Sequence, residues 1–242
     1  MDLKESDILG DDVNKHWYYI AKARAMQNIL HNVQAKTVLD VGAGSGYFSR
    51  YLLEHSNVQA GVCVDISYPT EYDDTHSGKP LYFRRSILDT AQAGIAPVDL
   101  CLMMDVLEHV EDDVGLLKTY VEQVPSGTKF LISVPAFQFL WSSHDVFLEH
   151  YRRYTCQHLA ETVQSSGLNI IQNHYYFGAV FPIALTMRLF ERIFPKKETK
   201  SQLVKHHPLT NAILLTASQM EIPFQKWNRL AGLTVFCLAE KP

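Results

Sequence analysis

Residues 37–49 read TVLDVGAGSGYFS: a β-branched and aliphatic run, Thr37 to Val41, stopped by Gly42, Gly44 and Gly46 with only small residues between them. A short apolar run bounded by glycine predicts a buried strand. Residues 47–55 then take up helical spacing, with Phe48, Tyr51 and Leu52 on one face. Strand, glycine turn and helix open a nucleotide-binding βαβ unit. The glycines let the backbone bend sharply and let a ligand approach where a Cβ would clash, and the helix N-terminus offers free N–H groups. The spacing is G-x-G-x-G with Asp40 two positions ahead, not the dinucleotide fingerprint G-x-G-x-x-G. Such a turn also occurs for backbone reasons alone, so the flanking chain has to decide.

Downstream, residues 60–65 (AGVCVD) predict a second strand ending in Asp65, which stands 23 positions after Gly42. Near that spacing βαβ units place a carboxylate on ribose hydroxyls; a helix cap is the competing role. Ile66 would then lie against an adenine face. A polar loop (68–80) leads to a third strand at 81–84 and to Ile87-Leu88-Asp89. There Asp89 could accept from an adenine amine while the backbone of Ile87 and Leu88 reads the ring edge, or it could be an ordinary loop acid. Residues 98–104 (VDLCLMM) are almost continuously apolar, as a strand buried on both faces should be. A turn, DVLEHV (105–110), precedes a helix with Leu116, Leu117, Tyr120, Val121 and Val124 inward, and 130–134 predicts a fifth strand. Upstream, 14–31 predicts a helix through Ile20, Ala23, Met26 and Leu30. Its opening HWYY (16–19) either packs that helix on the sheet or closes one side of the cofactor pocket, with His16 and Tyr19 as candidate cofactor contacts. Alternating strands and helices predict an α/β, doubly wound parallel sheet.

VLDVGAGSG (38–46), VCVD (62–65), ILD (87–89) and VDLCLMMDVLEHVEDD (98–113) resemble, in order and spacing, the consecutive motifs of class I S-adenosylmethionine (SAM)-dependent methyltransferases. LEHV resembles the small-molecule, quinone- and lipid-modifying branch. The resemblance covers residues 14–134. It implies a Rossmann-like, seven-stranded, mostly parallel sheet with an antiparallel last strand, helices on both faces and a helical cap. It also implies cofactor contacts at Asp40, Gly42, Gly44 and Gly46, a ribose contact at Asp65, an adenine contact at Asp89 and a methionine-end contact near Asp105. The turn before the fifth strand departs by carrying a single glycine, Gly127, where many relatives have two.

With 242 residues, 47% of them hydrophobic, one domain spanning 1–242 is expected: a SAM-binding half (14–134), a substrate and cap region (135–225) and a final strand (230–239). A net charge of −4 argues against a nucleic-acid partner. The four cysteines, Cys63, Cys101, Cys156 and Cys237, form no C-x-x-C pair, and the polar start of the chain shows no signal-peptide core. These features point to a reducing cytoplasm.

The substrate half is less legible. HDVFLEHYRRYT (144–155) is dense in functional groups. A metal site from His144, Asp145, Glu149 and His150 is disfavoured, because six residues separate the histidines around a helix, and no metal is expected. A histidine base is the stronger reading, with His109, His144 and His150 as candidates. Arg152, Arg153 and Tyr154 are candidate substrate contacts, though the arginines could equally pair with Glu149 or Asp145. Residues 155–166 predict a helix and 168–176 a strand. The apolar stretch 177–194 is too short for a membrane span and is interrupted by Pro182 and Arg188. It predicts a cap helix or dimer surface, with peripheral membrane contact as the alternative, given Arg192, Lys196, Lys197, Lys200 and Lys205. A helix at 208–221 precedes the final strand, expected at the antiparallel edge. The function expected is methyl transfer from SAM, with S-adenosylhomocysteine as product, to an O, N or C nucleophile of a small, partly apolar acceptor, by a monomer or homodimer. A non-catalytic SAM-binding module and a nicotinamide-dependent oxidoreductase are the rivals. No Asn/Asp-Pro-Pro-aromatic tetrad follows the fourth strand to suggest an amine-directed macromolecular enzyme.

Overall fold

Eight strands form one sheet in the computed structural model, which describes residues 10–86, 97–193 and 207–242. The strands are β1 (Thr37–Val41), β2 (Ala60–Val64), β3 (Tyr72–His76), β4 (Lys79–Arg84), β5 (Leu100–Met104), β6 (Lys129–Pro135), β7 (Asn169–Tyr176) and β8 (Thr234–Glu240). Their order is β3-β4-β2-β1-β5-β6-β8-β7, with β4, β2, β1, β5 and β6 mutually parallel. The helices are α1 (Trp17–Ile29), α2 (Tyr47–His55), α3 (Asp113–Gln123), α4 (Ser143–Phe147), α5 (Cys156–Ser165), α6 (Phe181–Ile193) and α7 (Pro208–Met220). β1 and β5 are buried at every position, so their alternate side chains feed two cores. Val38, Leu100 and Leu102 join Met26 of α1 and Leu52 of α2 on one face. Leu39, Cys101 and Met103 join Leu117 of α3 and Leu159 of α5 on the other.

Three expectations are corrected. The sheet has eight strands, not seven, because residues 68–80 are not all loop: β3 pairs antiparallel with β4 across Ser77 and Gly78, both at positive φ. β3 carries no apolar alternation to reveal it. It is an outer edge whose Asp73 and Asp74 pair with Arg84 and Arg50, charges that discourage a further strand from adding. Second, β8 runs antiparallel as expected but lies inside the sheet, between β6 and β7. Its run from Val235 to Ala239 is fully buried, as an interior strand requires, while β7 mixes exposed and covered positions and takes the edge. Third, the first helix is broken: a 3₁₀ turn, Gly10–Lys15, precedes α1, with His16 extended between them. Cys63, Cys101 and Cys237 are buried free thiols in strands. No helix among the described residues is long and apolar enough to cross a membrane.

His174 on β7 is fully buried and stacks on Phe236, their ring centroids 6.0 Å apart. Burial, with the charge of Arg229 adding, pushes its imidazole down to about 4. In the unfolded chain the same ring titrates near ~6.5, so the unfolded state binds more protons between those values. The stabilisation is therefore complete above about pH 6.5 and is lost as the pH falls toward 4. Urea unfolding should show wild type losing about 2 kcal/mol more than His174→Phe between pH 7 and pH 5. Parallel losses would mean that His174 is protonated in the fold.

Candidate active site

The carboxyl ends of β1, β2 and β5 meet where the strand order reverses, the place at which an open parallel sheet leaves a crevice. Gly42, Gly44 and Gly46 there have φ of 63°, 53° and 73°, a left-handed backbone that L side chains rarely adopt. A Cβ on Gly42 would come within 2.7 Å of Val106 Cγ2, so glycine is also needed for the turn after β5 to close over the loop. The Gly42 amide donates to Val64 O (2.8 Å), the Gly44 amide to Asp65 Oδ2 (3.0 Å) and the Tyr68 hydroxyl to Gly44 O (2.7 Å).

Asp65, partly exposed at the end of β2, also accepts from the Ser67 amide at 2.9 Å through Oδ1. A carboxylate has about four lone-pair sites, so both oxygens keep capacity for ligand hydroxyls. Ile66 beside it is 81% exposed, an apolar surface at the rim. Asp40 is buried, accepts from Ser49 Oγ at 2.8 Å, and burial pushes its carboxyl up to about 6. It fastens α2 to β1. Leu88 and Asp89 lie outside the described residues.

A cavity of about 210 Å³ opens beside this crevice. Trp17 and Tyr18 line it, not His16 and Tyr19. Successive helix residues turn by about 100°, so Tyr19 faces the core, edge-on to Tyr47 at 5.6 Å, while Tyr18 reaches Asp105. His16 is buried beside the rings of Trp17 and Tyr19. Asp105 stands on the cavity wall at φ 58°. Lys22, with no exposed surface, pairs with its Oδ2, which also accepts from Tyr18 OH (3.3 Å), and Ser133 Oγ donates to Oδ1 (3.1 Å). Burial alone would raise the Asp105 carboxyl, but the Lys22 charge and these hydrogen bonds outweigh it and hold it below the usual range.

The post-β6 segment supplies the far wall. The Tyr151 amide donates to Glu108 O (2.7 Å), tying residues 145–153 to the turn after β5. Asp145 is fully buried; it accepts from Arg153 Nε (2.6 Å) and Nη2 (3.0 Å), and its Oδ1 lies 3.0 Å from His150 Nδ1. Burial opposes ionisation of Asp145, but those partners hold its carboxyl far below the usual range. His109, His144 and His150 all line the cavity, and the rings of His109 and His150 meet edge-on, 4.6 Å between centroids.

Two expected substrate contacts are corrected. Arg152 donates to Val110 O and Glu111 O and pairs with Asp113 at 3.3 Å, which makes it a clasp between loops. Tyr154 is fully buried and donates to Asp113 Oδ2 at 2.7 Å. Arg153 does reach the cavity, but its fork is engaged with Asp145. Lys22 and Glu108 were not foreseen as site residues. The available signal was Lys22 four residues after Tyr18 within an alanine-rich inward face.

Breaking a buried ion pair strands its partner, an effect of about 3–5 kcal/mol, whereas replacing both charges is far less harmful. Lys22→Met should destabilise the fold on that scale, and Lys22→Met with Asp105→Asn should recover much of the loss, read by urea unfolding. Additive losses would show that the two groups do not act as a pair.

The comparisons with known proteins agree with this geometry. A family model described as a methyltransferase domain matches residues 15–173. An uncharacterized methyltransferase of Mycobacterium tuberculosis (strain H37Rv) is 28% identical over 122 residues, 48% of this chain and 46% of that protein. The chain thus spans about half the length of the curated relatives it matches. A SAM-dependent methyltransferase from Archaeoglobus fulgidus superposes with a TM-score of 0.55 at 14% identity, covering 99% of this chain and 98% of its own. The plantazolicin methyltransferase BamL, solved with a triazolic desmethylPZN analogue and S-adenosylhomocysteine, gives 0.52 at 12% identity, covering 98% of this chain and 88% of its own. At such identities the solved structures speak for the fold alone, while the family model spans more than half of the chain. The chain belongs to the methyltransferase-domain family and has the Rossmann-like fold of class I SAM-dependent methyltransferases.

Proposed function

We propose that the protein transfers a methyl group from SAM to an O, N or C nucleophile of a small, partly apolar acceptor. The observation that carries this reading is that the glycine loop, bonded to Asp65, lies against the turn after β5, whose Asp105 stands on the wall of the cavity. The residues fit the cofactor: three left-handed glycines make the sharp turn after β1, Asp65 retains acceptor capacity for ribose hydroxyls, and the exposed Ile66 suits an adenine face. Asp105 offers a carboxylate to a methionine-end ammonium. SAM supplies a sulfonium-bound methyl that is already electrophilic.

The chain's own contribution is alignment, exclusion of water and handling of an acceptor proton. Leu140, Leu148 and Leu233 give the cavity an apolar side that suits a partly apolar acceptor. Its polar end gathers the three histidines proposed for the proton. α6 closes the cavity with Ala184 and Arg188, in keeping with a cap. The exposed Ile183, Met187 and Phe190 on the same helix support peripheral membrane contact or a homodimer face.

The test is incubation with methyl-labelled SAM and fractionated cell extract. Label should appear in the small-molecule or lipid fraction, with S-adenosylhomocysteine released. Ala184→Trp, which fills the cavity from the cap, should reduce transfer at least about tenfold while S-adenosylhomocysteine affinity stays within about twofold. Cofactor binding with no label transferred to any fraction would favour the non-catalytic module; label confined to protein or nucleic acid would overturn the small-molecule acceptor.

A further inference from the structure

Charge is balanced unevenly around the cavity. Asp105 is matched by Lys22 and Asp145 by Arg153, but Glu108 has no basic partner among the described residues. Glu108 is only 1% exposed and lines the cavity, and neither of its carboxylate oxygens accepts a hydrogen bond from another described residue. A buried carboxylate without donors is costly and calls for a compensating partner.

Two imidazoles face the same point. Ligand atoms of Glu108, His109 and His150 all lie within 4.8 Å of one another. Donors bonded to one cation at about 2.0–2.2 Å stand roughly 3–4 Å apart, so small side-chain rotations close the set. His150 is already prepared for such a role. Asp145 holds its Nδ1, which leaves Nε2 for the cavity, the carboxylate–histidine arrangement that orients metal-binding imidazoles. The backbone bond from Tyr151 to Glu108 O fixes the loop carrying His150 against the turn carrying the other two.

We propose that Glu108, His109 and His150 form a binding site for a divalent transition cation, of the manganese, iron, cobalt or zinc type, at the polar end of the acceptor cavity. Two imidazoles and one carboxylate suit such ions better than magnesium or calcium, which take oxygen ligands. Three protein ligands leave coordination positions open to the cavity. An acceptor that presents an oxygen donor, such as a hydroxyl beside a second oxygen, would bind there and have its hydroxyl acidified and held in place. This last step rests on the methyl-transfer reading; cation binding itself does not.

The test is titration of chelator-stripped protein with Co²⁺, followed by visible absorption, and with Mn²⁺ and Zn²⁺ by calorimetry. Wild type should bind one ion with a cobalt spectrum of mixed nitrogen and oxygen ligation. Glu108→Gln, which keeps the shape and removes a buried charge, should fold normally and bind about a hundredfold more weakly or worse. His150→Gln should behave likewise, whereas His144→Ala, on the same cavity wall, should retain the affinity. Equal affinity in wild type and Glu108→Gln, or no ion bound by folded wild type, would overturn the proposal. S-adenosylhomocysteine titrated in parallel separates the two readings: cation binding without nucleoside binding would sink the methyltransferase assignment and leave the cation site standing.

Discussion

The structure depends first on the ion pair between Lys22 and Asp105. Lys22 has no contact with solvent and leaves α1 to meet a carboxylate at the end of β5. Removing two charges from water is expensive, and the pair is sustained because Tyr18 and Ser133 also donate to Asp105. The consequences run outward from it. α1 is clamped across the sheet, Asp105 is held at positive φ, and the turn that follows brings Val106 against Gly42 and aims Glu108 and His109 into the cavity. One pair thus links the glycine loop to the acceptor side.

Asp145 is the second centre. It gathers Arg153, His150 and the backbone and hydroxyl of Ser142, and so turns an irregular segment into a rigid wall. Arg152 and Tyr154, which alternate with Arg153 along the chain, point the other way and bind Asp113 at the start of α3. The loop after β6 is therefore fastened on both sides, and the cavity it helps to enclose is preformed. Glu108 sits between the two centres and is served by neither.

What was legible in the sequence follows from what leaves a local trace. Buried parallel strands announce themselves as continuous apolar runs, and the glycine turn as a spacing; β1, β2, β5 and β6 were visible for that reason. Asp65, at a fixed distance from the loop, was equally visible. β3 was hidden because an exposed edge strand needs no apolar alternation, and the interior place of β8 is set by pairing between segments far apart in sequence. Arg152 and Tyr154 read as site residues because a polar cluster looks the same whether it faces a ligand or binds a neighbouring loop. The grouping of Glu108 and His109 with His150 brings together residues some forty positions apart, and only the tertiary fold reveals it.

The most direct test of the central claim is calorimetric titration of S-adenosylhomocysteine, SAM and NAD into wild type and Asp65→Ala. The account predicts micromolar binding of the two sulfur nucleosides to wild type, at least about tenfold weaker binding in the variant, and none of NAD. Binding of NAD alone, or of none of the three to folded protein, would contradict it.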